Sequence, residues 1–223
     1  MDPDVIAEAV LAVGFRELTF AAVAKRLGVA QATLYRHAAN RDELVRLGVD
    51  LALRRTEWPD LEGPWRPLLE RWALASWHAW ERYPGAVVEV TRGVIPPSMI
   101  ALSDRVGAAL MERGFSARNA VLAVDLVFDL AADNRRGVET FDAEPAAPEQ
   151  PAVRGLIERQ CLSAPIAGDA GAAGVEQEIR AEMVRAIRAE PIEWFRGKLR
   201  VVLSGIEREL APAPQDARTK ETR

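Results

Sequence analysis

The 223-residue chain is predicted to be all-α, with a three-helix, helix-turn-helix head followed by a larger helical body. Three observations carry that prediction. Apolar residues recur at three- and four-residue spacing over most of the chain, and glycine, proline and capping residues punctuate the periodic stretches. In the first quarter, two short periodic stretches are joined by a three-residue turn containing glycine. The chain is 49% hydrophobic, enough at this length to bury a substantial core.

Asp2-Pro3 reads as an N-cap with proline at the first helical position, and Val5, Ile6, Ala9, Val10 and Val13 place a helix over Asp4 to Val13 that Gly14 stops. Thr19 caps a second helix, in which Phe20, Val23, Ala24 and Leu27 share a face before Gly28. After Gly28-Val29-Ala30 a third helix is expected over Gln31 to His37. It turns Leu34 and Ala38 inward and leaves Gln31, Ala32, Thr33, Arg36 and His37 around the other side. Asn40 with Glu43 resembles a capping box, and the fourth helix directs Leu44, Leu47, Leu51 and Ala52 inward until Pro59.

The body restarts at Gly63 to Pro67 with a long Leu- and Trp-rich helix running to Tyr83, and Pro84, Pro96 and Pro97 are breaks. Helices follow over Ser98 to Arg113 and Ala117 to Glu139, with Gly114 closing one and Ser116 capping the next. "DAEPAAPEQP" and "SAPIAGDAGAAG" are expected to be loops, with a short helix, Val153 to Leu162, between them. Helical periodicity returns over Val175 to Ala189 and Ile192 to Leu210, and the chain closes in a polar tail. These divisions predict a head over 1–56, a regulatory body over 57–211 and a disordered tail over 212–223.

Cys161 is the only cysteine, so no intrachain disulfide can form, and no metal-site spacing is present. With Asp2 and Asp4 at the start in place of a basic leader, and no apolar run near the roughly 18 residues of a membrane span, a cytoplasmic location without membrane contact is expected. Net charge is −4, yet from Arg16 to Arg55 eight bases face four acids. A basic head on an acidic body suits an anionic partner at one end. The preference for arginine over lysine can follow from genome composition and is not evidence for nucleic acid.

The helix spacing alone also fits an ordinary helical hairpin. What favours nucleic acid is the set of side chains left outside. Gln31 can bind an adenine edge, Ala32 and the Thr33 methyl can touch a thymine methyl, and Arg36 can reach guanine or phosphate. Thr19, Tyr35, His37 and Arg41 are placed for phosphates, where hydroxyls and helix N-termini fix register without reading sequence.

"LTFAAVAKRLGVAQATLYRHAANRDEL" resembles the DNA-binding head of the tetracycline repressor (TetR) family, through Thr19, Gly28, Val29, Thr33, Leu34, Tyr35, His37 and Arg41. "WRPLLERWALASWHAWERYPGAVVEV" and "MERGFSARNAVLAVDLVF" are similar to the regulatory domain of the tetracycline-repressor subgroup. The chain departs from the pattern at Ala38, where a larger apolar residue is usual, and at Ala30, where a capping Ser or Thr is common. Loss of that cap costs about 1 kcal/mol.

The resemblance implies a homodimer joined through Ala117 to Glu139 and Ile192 to Leu210, a palindromic double-stranded DNA operator, and release by a small-molecule effector. The stripe Phe195, Leu199, Val202, Leu203, Ile206 and Leu210 fits either an interior face or such a partner. Among Trp65, Trp72, Trp77 and Trp80, the resemblance favours Trp72 with Ser76 as pocket residues. Asp125 and Asp129, continued by Asp133, form an acidic stripe that is either a solvated or interface edge or a seat for a cationic or metal-chelating ligand. His78 is the only histidine outside the head, so a magnesium-tetracycline effector is not expected, and a bulky apolar or aromatic compound is. No cofactor, metal or catalytic residue is expected, and an enzyme is not. The alternative is a helical binding or scaffold protein acting without DNA, distinguished by the salt dependence of any DNA affinity.

Overall fold

The computed structural model describes residues 1–143, 152–164 and 170–213. These form eleven α-helices: α1 (Pro3–Val13), α2 (Phe20–Leu27), α3 (Gln31–Tyr35), α4 (Arg41–Arg55), α5 (Trp65–Arg82), α6 (Ala86–Thr91), α7 (Pro97–Met111), α8 (Ala117–Phe141), α9 (Val153–Ser163), α10 (Ala170–Arg188) and α11 (Pro191–Glu209). The predicted caps act where the sequence places them. Asp2 accepts from Asp4 N–H, Thr19 from Ala22 N–H, Asn40 from Glu43 N–H and Ser116 from Asn119 N–H. Each meets one of the N–H groups that a helix start leaves without a partner. Ala30 supplies no side-chain cap to α3, as its methyl side chain dictates.

Three expectations are corrected. Helix α3 ends at Tyr35, with Arg36 and His37 in the turn that follows, because without a cap and with only Leu34 buried it has little to extend it. The Pro84–Pro97 stretch is more than a break. Gly85, at φ +88°, turns the chain into α6, which buries Ala86, Val87, Glu89 and Val90. The loop expected through Gly174 gives way to α10, which begins at Ala170. Most of the proline-rich segment before α9, and the predicted tail from 214 onward, lie outside the described residues.

Two apolar clusters hold the described residues together. The first joins Ile6, Val10, Val23, Leu34, Ala38, Leu44 and Val49 of the N-terminal helices to Trp80, Val87, Val90 and Met99 of the body. Packing is therefore continuous across Thr56, the C-cap of α4, where the head was expected to end. The second cluster packs α5, α7, α8 and α11 through residues including Leu69, Trp77, Leu110, Val127, Phe195 and Leu203. Phe195, Leu199, Leu203 and Ile206 are buried there, with the Phe195 ring stacked on Trp77 at 4.7 Å, so the α11 stripe is an interior face.

Candidate functional site

Helices α2 and α3 meet across Gly28, whose left-handed conformation (φ +67°) closes the three-residue turn without a Cβ penalty. Leu34 and Ala38 anchor α3 in the core at 0% and 3% exposure. The small side chain at the atypical position 38 is thus fully covered. Gln31, Ala32, Tyr35, Arg36 and His37 are exposed, and Thr33 is half-buried, so one short rod presents the polar face that the sequence assigns to it. The Tyr35 ring stacks on Phe20 at 4.1 Å, which fixes its hydroxyl at the surface beside the start of α2. Arg36 reaches the Thr33 hydroxyl at 3.5 Å, and His37 Nε2 lies 3.3 Å from the N-terminal amine.

Arg41 has partners within the fold that the sequence did not reveal. Its guanidinium donates to both Glu89 oxygens at 2.7 and 3.0 Å, to the Leu18 carbonyl at 3.2 Å and to the Phe15 carbonyl at 3.5 Å. Hydrogen bonding to Glu89 pushes its pKa further up. The side chain expected to hold a phosphate thus ties α4 to α6. The basic character of the head is also smaller than expected. Counted from residue 1 through 56, eight bases face seven acids, and Arg54 and Arg55 pair with Asp4 and Glu8 on α1. Among the described residues Lys25 and Arg26, exposed on α2 and not singled out from the sequence, have no acidic partner.

Further links cross between head and body. Glu139, buried near the end of α8, accepts from Gly85 N–H at 2.8 Å and from Arg16 at 3.5 Å. A Cβ at Gly85 would come within 3.1 Å of both Phe15 and Arg16, so glycine is required for the backbones to approach as well as for φ. Asp50 of α4 accepts the Ser98 N–H at the start of α7, 3.0 Å away. Burial pushes the Asp50 carboxyl up, but hydrogen bonds from Ser98 and Arg54 together hold it below its ordinary value.

In the body, a groove of about 550 Å³ lies between α7 and α8, lined largely by Ile95, Met99, Ile100, Met111, Val121 and Phe128, with Asp104 and Asp125 also on its wall. Behind it is a chamber of only about 10 Å³ enclosed by Trp58, Trp72, Ser76, Trp80, Leu102 and neighbours; Met99, Ser103 and Phe128 wall both spaces. Trp72 and Ser76 are brought together, with the Ser76 hydroxyl donating to the Trp72 carbonyl at 3.0 Å. They line the chamber, while Asp125 lines the groove.

Asp129 lines neither and stands exposed on α8. Desolvation, then Asp125 and Asp133, push its pKa up. Trp65 and Trp77 pack edge-on to Phe115 and flat on Phe195. Met99, Leu102, Ser103 and Phe128 were not legible as site residues, since only the crossing of α7 and α8 over α5 joins them. Among the described residues no group of His, Cys, Asp or Glu could hold a metal, and no helix is long and apolar enough to cross a membrane.

Two short helices joined by a glycine turn, with α3 exposed and set on a helical body, make a helix-turn-helix head on an all-α body. Residues 4–47, which make up most of the head, match the family model for bacterial regulatory proteins, tetR family. Solved structures share the fold across most of the chain. ActR of Streptomyces coelicolor in complex with actinorhodin matches at 19% identity, covering 93% of this chain and 95% of that one, with a TM-score of 0.75. A TetR variant of Acinetobacter baumannii in complex with minocycline is also 19% identical, with 93% and 97% covered and a TM-score of 0.65. BioQ of Mycobacterium smegmatis matches at 17% identity, with 92% and 96% covered and a TM-score of 0.59. Curated protein sequences give no match.

Proposed function

We propose that the chain is a repressor that binds a palindromic operator as a homodimer and is released by a small, largely apolar or aromatic effector in the α7–α8 groove. The observation that carries the reading is the asymmetry of α3: Leu34 alone is buried, and the exposed residues are hydrogen-bonding types suited to base edges and phosphates. Gln31, Ala32, Thr33 and Arg36 are assigned to bases; Thr19, Tyr35, His37, Lys25 and Arg26 to the backbone. The second copy is assigned to the outer side of α8 and α11. There Leu126, Trp194 and Val201 are exposed, and Gly197 and Gly205 flank Val201 at four-residue spacing with open space around them. Small residues in that pattern let another helix approach closely.

The effector's route to the head follows from what the groove touches. Ile95 lies just before α7 and Met99 in its first turn, and the Ser98 N–H between them is held by Asp50 of α4. A molecule that parts α7 from α8 moves the residue that grips α4. The resulting shift is limited by the effector's differential affinity for the two head positions. The relatives crystallised with actinorhodin and minocycline favour an aromatic effector.

Selection of bound DNA from a random library tests the reading. Wild type should enrich a palindrome, and Val201→Asp, which places a charge in the proposed seam, should enrich single half-sites. Gln31→Ala or Arg36→Ala should cost about 1–3 kcal/mol and relax preference at one position per half-site, whereas Lys25→Ala should weaken all sequences alike. Enrichment of no sequence would leave the scaffold alternative standing.

A further inference from the structure

The chamber behind the groove contains an unmet chemical requirement. Trp72 and Trp80, each 2% exposed, both line it, and the indole Nε1 of each is buried without a hydrogen-bond partner. The contrast with Trp58 on the same wall is informative, because its Nε1 donates to the Leu53 carbonyl at 3.0 Å. An indole N–H is a donor only, so what completes Trp72 and Trp80 must be an acceptor. Buried donors left unmet are rare, and each calls for a water or a ligand. At about 10 Å³ the chamber has room for about one water, but it is not isolated. Met99, Ser103 and Phe128 separate it from a groove of about 550 Å³. The Met99 chain is flexible, and the Phe128 ring lies edge-on to Trp80 at 6.4 Å with only part of its surface buried.

We infer that the effector is a neutral, predominantly apolar molecule carrying a carbonyl-type oxygen at one end, which passes Met99 and Phe128 to accept hydrogen bonds from the Trp72 and Trp80 indoles. The proposal rests on the assignment of the groove as the effector site and adds the chemical class. Each part of the class has its own cause. The groove wall of Ile95, Ile100, Met111, Val121 and Val124 demands an apolar body. The two indoles demand an acceptor. Asp104 and Asp125, on the same wall and without cationic partners among the described residues, repel an anion, so the acceptor belongs to a ketone, quinone, ester or lactone and not to a carboxylate.

The test uses 9-fluorenone and fluorene, which have the same ring system and differ in a carbonyl against a methylene. Calorimetric titration of the full-length protein should give fluorenone about tenfold tighter binding than fluorene for each hydrogen bond made. In ¹⁵N spectra, fluorenone should move the indole N–H signals of Trp72 and Trp80 downfield, and fluorene should not. Trp72→Phe should shrink the ratio of fluorenone to fluorene affinity by about tenfold, the ratio being the readout because both probes meet the same change in volume. If fluorenone and fluorene bind equally and the indole signals stay in place, water satisfies the indoles and the acceptor proposal is overturned, with the groove assignment surviving. If neither probe binds, the groove assignment itself is overturned. If Val121→Asp abolishes dimerisation instead of probe binding, the groove is occupied by the second copy, and both fall.

Discussion

Asp50 and Asp129 are carboxylates of one type whose surroundings push them in opposite directions, and pH separates their roles. Burial raises Asp50, but the Ser98 N–H and the Arg54 guanidinium outweigh it and lower its pKa. A lowered folded pKa contributes stability above the unfolded value of about 3.9, lost as pH falls through the folded value. Asp50→Asn should therefore lower the urea midpoint at pH 7 by an amount equivalent to about 1 kcal/mol, with the deficit shrinking below about pH 4. Asp129 has the reverse sign. Desolvation and the charges of Asp125 and Asp133 raise its pKa, so its ionisation opposes folding at neutral pH, and that cost disappears as pH falls through the raised value toward the unfolded one. Asp129→Asn should stabilise slightly at pH 7, by under about 0.5 kcal/mol for so exposed a group, and make no difference below about pH 4. Midpoints that shift the same way for both variants at pH 7 would contradict these assignments.

At the scale of elements, the helix starts were legible because a cap is a local event: Asp2, Thr19, Asn40 and Ser116 each bond an N–H two or three residues on. What was not legible is set by how helices cross. Helix α6 has only six residues, most of them valine or threonine and without a clear helical period, and it is held by burial against the head. The pairing of Arg41 with Glu89 gave no sequence signal because the two are 48 residues apart. Gly48 gave no signal at all. In the structure it sits where α1 crosses α4, and an added Cβ would stand 2.4 Å from Val10 Cγ1 and 3.3 Å from the Phe15 ring. Alanine in a helix normally gains about 1 kcal/mol over glycine, but overpacking a core costs about 1–3 kcal/mol. Valine is stiff at χ1 and cannot swing away, which puts the cost toward the upper end, so Gly48→Ala should lose about 1–2 kcal/mol net in urea unfolding. A stabilised variant would mean that α1 and α4 are farther apart than described.

At the scale of the molecule, polar links that join head and body among the described residues include Arg41–Glu89, Arg16–Glu139 with Gly85, Asp50–Ser98 and the exposed pair Arg92–Asp42, set around a shared apolar core. Such a seam resists sliding because Glu89 and Glu139 are buried and Asp50 is mostly so. Glu89 is 6% exposed and also receives Arg92 at 2.6 Å, so α4 cannot slide along α6 without breaking charge-assisted bonds. Salt dependence of operator binding separates this role of Arg41 from the phosphate role read from the sequence. Each phosphate neutralised adds about 0.9 to the slope of log affinity against log salt. With Arg41 committed to Glu89, Arg41→Gln should leave the slope for the selected palindrome unchanged while weakening the effect of a bound effector on release. Glu89→Gln frees the guanidinium at the start of α4, close in sequence to the residues proposed to meet DNA, and should raise the slope by about 0.9 per protomer. Its cost in stability should stay below the roughly 3–5 kcal/mol of a fully buried pair, since the Arg41 side chain remains 36% exposed. A slope that falls by about one per protomer in Arg41→Gln would return Arg41 to the phosphates, and α6 would then have to reach the head through Gly85 and the core alone.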